Sequence, residues 1–219
     1  MRNFSVITNF GCKRKCFYCA FSCHKFQELS SQFDWSELER CIKMYEGKKI
    51  IISGGGDPLF ELENNHLTLE KIVKLAKKHN KVVDIHTNEN LLDKIDFLHG
   101  LGINQMVVST HSIIDERKEE FEKLLKFCKV RAVLVYTGQE KWWLRGWLKY
   151  YSFVPKLTIR ECRGYNFGFN SIPKAFTTEF PQLILLPDGD YNYYYMPDNK
   201  VYENYEATIL AEMFKRQGV

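Results

Sequence analysis

Segments with the pattern of β-strands alternate with segments that have the pattern of α-helices along the first 163 residues of this chain. Short runs of branched and aromatic residues predict strands at Phe4–Thr8, Lys49–Ser53, Val82–His86, Gln105–Ser109, Arg131–Tyr136 and Lys156–Arg160. Apolar residues at helical spacing predict helices at Phe33–Tyr45, from Thr68 onward, and at Leu91–Leu98, Asp115–Phe127 and Glu140–Tyr150. Such alternation predicts a parallel sheet whose outside is covered by helices.

The number of repeats bears on how this sheet is arranged. Six strand–helix units fit into the first 163 residues of the 219-residue chain, whereas a closed eight-unit barrel typically needs about 250 residues. Right-handed crossovers would wind the units in one direction. We therefore expect an α/β fold with a partial six-unit barrel, open on one side. Periodicity alone leaves a doubly wound sheet as the alternative.

The composition changes after residue 163, where Asn, Phe, Pro and Tyr become frequent. Leu183–Leu186 and Tyr191–Tyr195 flank a Pro-Asp-Gly-Asp turn and predict a hairpin, and Ala207–Arg216 predicts a closing helix. We accordingly divide the chain into a barrel core, 1–163, and a C-terminal appendage, 164–219, packed on the same domain.

The cysteines are concentrated at one end of the chain. Of the seven, Cys12, Cys16, Cys19 and Cys23 precede residue 24, while Cys41, Cys128 and Cys162 are scattered. An odd number, clustered after an N-terminus without the pattern of a signal peptide, argues against a disulfide framework and for a metal site. No apolar run has the length of a transmembrane helix. We expect a cytoplasmic protein that does not contact a membrane.

Charge adds little to this argument. Lys and Arg exceed Asp and Glu by four (31 − 27 = +4). An excess of this size permits an anionic partner and does not require one. Nucleic-acid binding therefore cannot be inferred from charge alone.

Three of the clustered cysteines have the spacing C-x3-C-x2-C directly after the first predicted strand, beside Lys13, Arg14 and Lys15. Thiolates are soft ligands that suit iron–sulfur clusters or zinc. Three cysteines would leave one iron of a four-iron cluster open, whereas structural zinc normally has four protein ligands. Cys23 or His24 would have to provide the fourth ligand for zinc. We favour iron–sulfur and keep zinc as the alternative.

A glycine-rich motif follows the cysteine loop, and the order of the two motifs along the chain is informative. Gly54-Gly55-Gly56-Asp57-Pro58 follows the second strand, and Thr87-Asn88 and Ser109-Thr110-His111 end the third and fourth. A cysteine loop of this spacing with an aromatic residue before its last cysteine (Tyr18), followed by Gly55-Gly56-Asp57-Pro58, resembles the radical S-adenosylmethionine (SAM) superfamily. The match is to that family's Gly-Gly-Glu-Pro motif, with Asp replacing Glu. The resemblance covers about the first 163 residues.

The resemblance implies a set of cofactors and site residues. Cys12, Cys16 and Cys19 would hold a [4Fe–4S] cluster, and SAM would bind its open iron and be cleaved to a 5′-deoxyadenosyl radical that abstracts hydrogen from a substrate. The residues expected to bind the cofactor are Tyr18, Gly55, Gly56, Asp57, Asn88, Ser109, His111 and Arg131. No catalytic side chain is implied.

The sequence leaves the substrate open. We favour a small or nucleotide-like molecule, since the chain is short for this fold and shows no added recognition domain. An activating enzyme that makes a glycyl radical on a partner protein is one alternative, and modification of RNA or a peptide is another. A zinc module that binds nucleic acid is the non-enzymatic alternative. The resemblance also implies an electron donor such as flavodoxin or ferredoxin.

Overall fold

Six parallel strands in chain order form the centre of a sheet with helices between them. The computed structural model describes residues 3–8, 11–14, 16, 34–53, 56–110, 117–136, 141–161, 182–185, 191–193 and 204–206. The central strands are β1 (Asn3–Val6), β2 (Lys49–Ile52), β3 (Val82–Thr87), β4 (Gln105–Thr110), β5 (Lys129–Tyr136) and β6 (Lys156–Glu161). The helices are α1 (Trp35–Met44), α2 (Leu62–Lys78), α3 (Ile95–Leu101), α4 (Lys118–Leu124) and α5 (Lys141–Tyr150).

Strand order separates the two predicted arrangements. The sheet has the order β8-β7-β1-β2-β3-β4-β5-β6-β9, and the six central strands all pair in parallel with their sequence neighbours. A doubly wound sheet would reverse its order at a switch point, and no reversal occurs from β1 to β6. The predicted partial barrel is therefore confirmed. It is open, because β8 and β9 lie at the two edges of the described sheet.

The C-terminal strands extend this sheet. They are β7 (Gln182–Leu185), β8 (Tyr191–Tyr193) and β9 (Asn204–Glu206). β7 pairs in parallel with β1 and antiparallel with β8, which is the predicted hairpin, and β9 pairs antiparallel with β6. The predicted closing helix at Ala207–Arg216 lies outside the described residues. The division at residue 163 stays a prediction.

Alternate residues of the strands give the sheet two different faces. One face packs on the helices and carries the apolar core; its residues include Phe4, Ile50, Ile52, Val83, Ile85, Met106, Val108, Ala132 and Leu134. The intervening residues point to the other, concave face. That face is more polar, since it carries Ser5, Asp84, His86, Ser109 and Arg131. No helix in the described part of the chain is long and apolar enough to span a membrane.

Local signals explain where two helices begin and end. The Asp34 carboxylate accepts the backbone N–H of Glu37 at 2.9 Å and caps α1. Gly102, at φ 60°, ends α3 in the left-handed region that glycine favours. The prediction that Thr68 caps α2 is wrong. This helix begins at Leu62, after Glu61 in the left-handed region, and Thr68 lies within it.

Candidate functional site

A buried carboxylate joins the loop after β2 to the end of β3. Oδ1 of Asp57 accepts the backbone N–H of Leu59 at 2.9 Å, and Oδ2 accepts the backbone N–H of Asn88 at 2.6 Å. The Thr87 hydroxyl donates to the same carboxylate, 2.7 Å from Oδ1. Asp57 is only 3% exposed. Its side chain therefore fixes the position of the glycine loop relative to the Thr87-Asn88 pair.

Burial and hydrogen bonding act in opposite directions on this carboxyl group. Removal from water is the larger effect and raises the pKa of Asp57, while the N–H donors of Asn88 and Leu59 lower it. The donors compensate part of the cost of burying the carboxylate. Two backbone N–H groups aimed at two different oxygens also leave little freedom in the orientation of the side chain.

The same loop also contacts the cysteine segment. The backbone N–H of Asp57 donates to the carbonyl oxygen of Gly11 at 2.8 Å. A Cβ atom on Gly11 would lie 2.3 Å from ring atoms of Phe60. Only glycine fits this close approach. Gly11 is a residue that sequence reasoning missed, although a glycine directly before the first cysteine was an available signal.

Cys12 lies beside the end of β3. Its sulfur accepts the backbone N–H of Arg14 at 3.4 Å and the side-chain N–H of Asn88 at 3.5 Å. Arg14 in turn donates through Nε to the carbonyl oxygen of Asn88 at 3.3 Å. N–H donors to the sulfurs of ligating cysteines tune iron–sulfur clusters. The donor set at Cys12 thus suits a metal-ligating thiolate.

A cluster of charged side chains lies next to these residues. Lys13 extends from the cysteine loop to Glu89, with Nζ 3.3 Å from Oε2, and Glu89 is 4% exposed. Arg117, which precedes α4, pairs with Glu120 at 2.8 Å. Sequence reasoning missed Glu89, Arg117 and Glu120, because no motif marks these residues and their contacts join distant parts of the chain.

The structure brings some of the predicted site residues together and separates others. Cys12, Gly56, Asp57 and Asn88 meet where β1, β2 and β3 end. Ser109 lies near the end of β4, and Arg131 pairs with Val107, two residues before Ser109. Arg131 therefore lies deeper on the concave face. Cys16 is half-buried. Four predicted residues lie outside the described ones: Tyr18, Cys19, Gly55 and His111.

The structure describes two of the three predicted metal ligands. Among the described residues, no group of three or more His, Cys, Asp or Glu side chains is arranged to hold a metal ion. Two of the predicted ligands, Cys12 and Cys16, are described, and neither forms a disulfide bond. They fit a thiolate-bound cluster, since neither is used in a disulfide and Cys12 receives two N–H donors.

Comparison with known families identifies the same region. The family model of the radical SAM superfamily matches residues 6–135. This range runs from the end of β1 almost to the end of β5 and includes the cysteine loop, the glycine motif and the ends of β3 and β4. Comparison with curated proteins finds no match.

Solved structures share this fold at low sequence identity. Streptococcus suis SuiB bound to S-adenosylmethionine has a TM-score of 0.58 and 13% identity, over 92% of this chain and 60% of that one. BtrN in complex with AdoMet and 2-DOIA has a TM-score of 0.50 and 17% identity, over 88% and 72%. The enzyme anSMEcpe, with bound AdoMet and the Cp18Cys peptide, has a TM-score of 0.54 and 18% identity, over 73% and 51%. The chain thus spans about three fifths of SuiB and half of anSMEcpe.

Proposed function

This chain belongs to the radical SAM superfamily, and on that premise we propose that it is an enzyme that binds a [4Fe–4S] cluster through Cys12, Cys16 and Cys19 and cleaves SAM there. When bound, the cluster and SAM together supply a 5′-deoxyadenosyl radical that takes a hydrogen atom from a substrate. The observation that carries the proposal is that Cys12, Asp57 and Asn88 meet at the carboxyl ends of β1, β2 and β3.

Each of these residues has a distinct part in binding. Cys12 is held by Asn88 and by the backbone of Arg14, so its sulfur is oriented before any metal binds. Gly55 and Gly56 would bring backbone carbonyl oxygens to the amino group of SAM. Asp57 would act on SAM through the loop that it anchors, because scaffold donors occupy its carboxylate.

The remaining predicted residues are assigned to other parts of SAM. Tyr18 would border the adenine, and Asn88, Ser109 and His111 would contact the ribose or the carboxylate of SAM. Ser109 lies near the carboxyl end of β4, one strand away from Asn88. Ligands of parallel α/β folds bind at these ends. The placement of Asn88 and Ser109 supports their assignment to SAM.

We further propose that the substrate is a small or nucleotide-like molecule. Arg131 supports it, since this half-buried arginine lies on the concave face, below the level of Ser109. A guanidinium group there would pair with a carboxylate, either that of SAM, as the resemblance implies, or an acidic group of the substrate. The titles of the similar structures include 2-DOIA in one case and a peptide in another, so likeness of fold does not select among substrates.

An external electron donor is the partner that this chemistry needs, and we propose a flavodoxin or ferredoxin. Lys13 and Arg14 directly follow Cys12 in the chain, and both are exposed. A positive rim beside the cluster would attract an acidic donor and raise its rate of association. The guanidinium group of Arg14, which donates to the uncharged carbonyl group of Asn88, would contribute its charge to this rim.

Replacement of single cysteines tests the ligand assignment. After anaerobic reconstitution with iron and sulfide, we expect about four irons per wild-type chain and a loss of most of that iron in Cys16→Ser. Cys128→Ser is the matched control, because burial raises the pKa of the Cys128 thiol to about 11 and its bond to the Leu124 carbonyl can be kept by a hydroxyl. Full iron binding by Cys16→Ser would contradict the assignment.

A further inference from the structure

Three charged side chains are buried together beneath the cysteine loop. Glu89 is 4% exposed, Arg117 is 5% exposed and Glu120 is 1% exposed. Charged groups are seldom buried to this degree unless they are paired. Lys13 pairs with Glu89 and Arg117 pairs with Glu120. The four formal charges therefore balance, and the cluster as a whole is neutral.

Arg117 contacts three different parts of the fold. Its Nε donates to Oε2 of Glu120 at 2.8 Å, and its Nη1 donates to the backbone carbonyl of Ser109 at 3.1 Å. Its Nη2 donates to the backbone carbonyl of Glu89. A guanidinium group presents its N–H donors in a rigid fork. The side chain thus holds two strand ends and the start of α4 in one geometry.

These two carbonyl groups lie next to residues of the proposed SAM site. The carbonyl of Ser109 belongs to a residue assigned to SAM itself, and Glu89 directly follows Asn88. Asn88 also donates to the sulfur of Cys12. The sheet pairs β3 with β4 up to Thr87 and Val108, and Arg117 holds the segment beyond that pairing, at Glu89, against the end of β4.

We propose that Arg117 is a positioning residue that holds the segment after β3 and the end of β4 in the relative position required to bind SAM. The inference rests on the proposed function, because it takes Asn88 and Ser109 as the SAM-binding residues of these strands. Arg117 would not touch the cofactor. It would act by keeping the two backbone segments in place, and Lys13 would tie the cysteine loop to the same cluster through Glu89.

Glu120 has a supporting part. Its Oε2 pairs with Arg117, while its Oε1 accepts the backbone N–H of Leu91 at 3.1 Å. Loss of Arg117 alone would leave a buried carboxylate without its cation, which is strongly destabilising. A test of positioning must therefore remove the contacts to the carbonyls without creating a buried charge.

Two variants meet this condition. In Arg117→Met combined with Glu120→Gln, both charges disappear, and the glutamine oxygen can still accept the N–H of Leu91. In Arg117→Lys the charge beside Glu120 stays, but a single ammonium group cannot reproduce the fork. Arg40→Lys is the matched control, because Arg40 also forms an i,i+3 pair with a glutamate, Glu37, on the exposed side of α1.

The measurement is the dissociation constant of SAM for the oxidised, iron-loaded protein, which cannot cleave SAM. Iron content and melting temperature are recorded for the same samples. We expect SAM binding about 10-fold weaker in the double variant, an intermediate loss in Arg117→Lys, and no change in Arg40→Lys. A stabilising role alone would lower the melting temperature and leave the affinity of the loaded protein unchanged.

Two results would overturn the inference, and only one of them would also overturn the proposed function. If wild type binds SAM and the double variant binds it equally well, Arg117 does not position the site and the proposed function stands. If iron-loaded wild type itself does not bind SAM, the proposed function fails, and this inference fails with it.

Discussion

The two oxygens of the Asp57 carboxylate have different partners, and both partners are donors. One oxygen accepts the N–H of Leu59 and the other accepts the N–H of Asn88. An asparagine at this position would carry one NH2 group, and either orientation of its amide would place that group against a backbone N–H. In that arrangement the backbone N–H loses its hydrogen bond, and the NH2 group that faces it is left without an acceptor.

We therefore expect Asp57→Asn to lower the free energy of unfolding by about 2 kcal/mol and to weaken SAM binding, because the glycine loop loses its anchor. Denaturant unfolding of the purified chain measures the first effect. Asp34→Asn is the control. Asp34 also accepts a backbone N–H, but at the exposed N-terminus of α1, where asparagine caps equally well. Equal stability of Asp57→Asn and Asp34→Asn would contradict this view of Asp57.

Sequence reasoning found some residues of the site and missed others for a physical reason. Asp57 and Asn88 were found because they belong to short motifs at predicted strand ends. Glu89 and Arg117 were missed because their importance comes from burial and from contacts across the fold, which no local pattern reports. A single arginine or glutamate in a sequence looks the same whether it is buried or exposed.

At the level of elements, α5 connects the helical layer to the end of β4. Trp147 is fully buried, and its indole N–H donates to the hydroxyl of Thr110 at 2.8 Å. That hydroxyl donates to the carbonyl of Val133 on β5. Trp142 on the same helix is 69% exposed. Trp147 is therefore part of the core, whereas Trp142 is not.

This difference predicts the effect of removing the indole N–H at each position. Trp147→Phe is expected to lower the free energy of unfolding by about 2 kcal/mol, because it opens a small cavity and leaves the Thr110 hydroxyl without its donor. Trp142→Phe is expected to change it by less than about 0.5 kcal/mol. Denaturant unfolding compares the two, and similar losses would show that α5 is not anchored through Trp147.

Helix boundaries show where patterns along the chain are insufficient. The apolar stripe of α2, formed by Leu69, Ile72, Val73 and Ala76, is buried as the spacing predicts. The start of α2 was placed too late, at Thr68, because a threonine before the stripe resembles an N-cap. Leu62, at the true start, packs against the core. We attribute the earlier start of the helix to this tertiary contact, because the residues between Leu62 and Thr68 carry no helix-start signal in the sequence.

At the scale of the whole molecule, the six central strands have the same order along the chain and in the described sheet. Because they are parallel, their carboxyl ends lie at the same end of the sheet. The alternation of elements predicted this sheet, and strand order distinguished it from a doubly wound one. Residues after 163 gave weaker signals, and the addition of β7 and β9 at opposite sides of the sheet was not predicted, since such pairing depends on distant partners.

The production of 5′-deoxyadenosine from SAM tests the central claim most directly. The full chain, reconstituted anaerobically with iron and sulfide and reduced with dithionite, is incubated with SAM, and the products are separated by chromatography. We predict that 5′-deoxyadenosine and methionine form, that both require the reductant, and that Cys16→Ser forms neither. A chain that binds one zinc ion, or an iron-loaded and reduced chain that leaves SAM intact, would contradict the account.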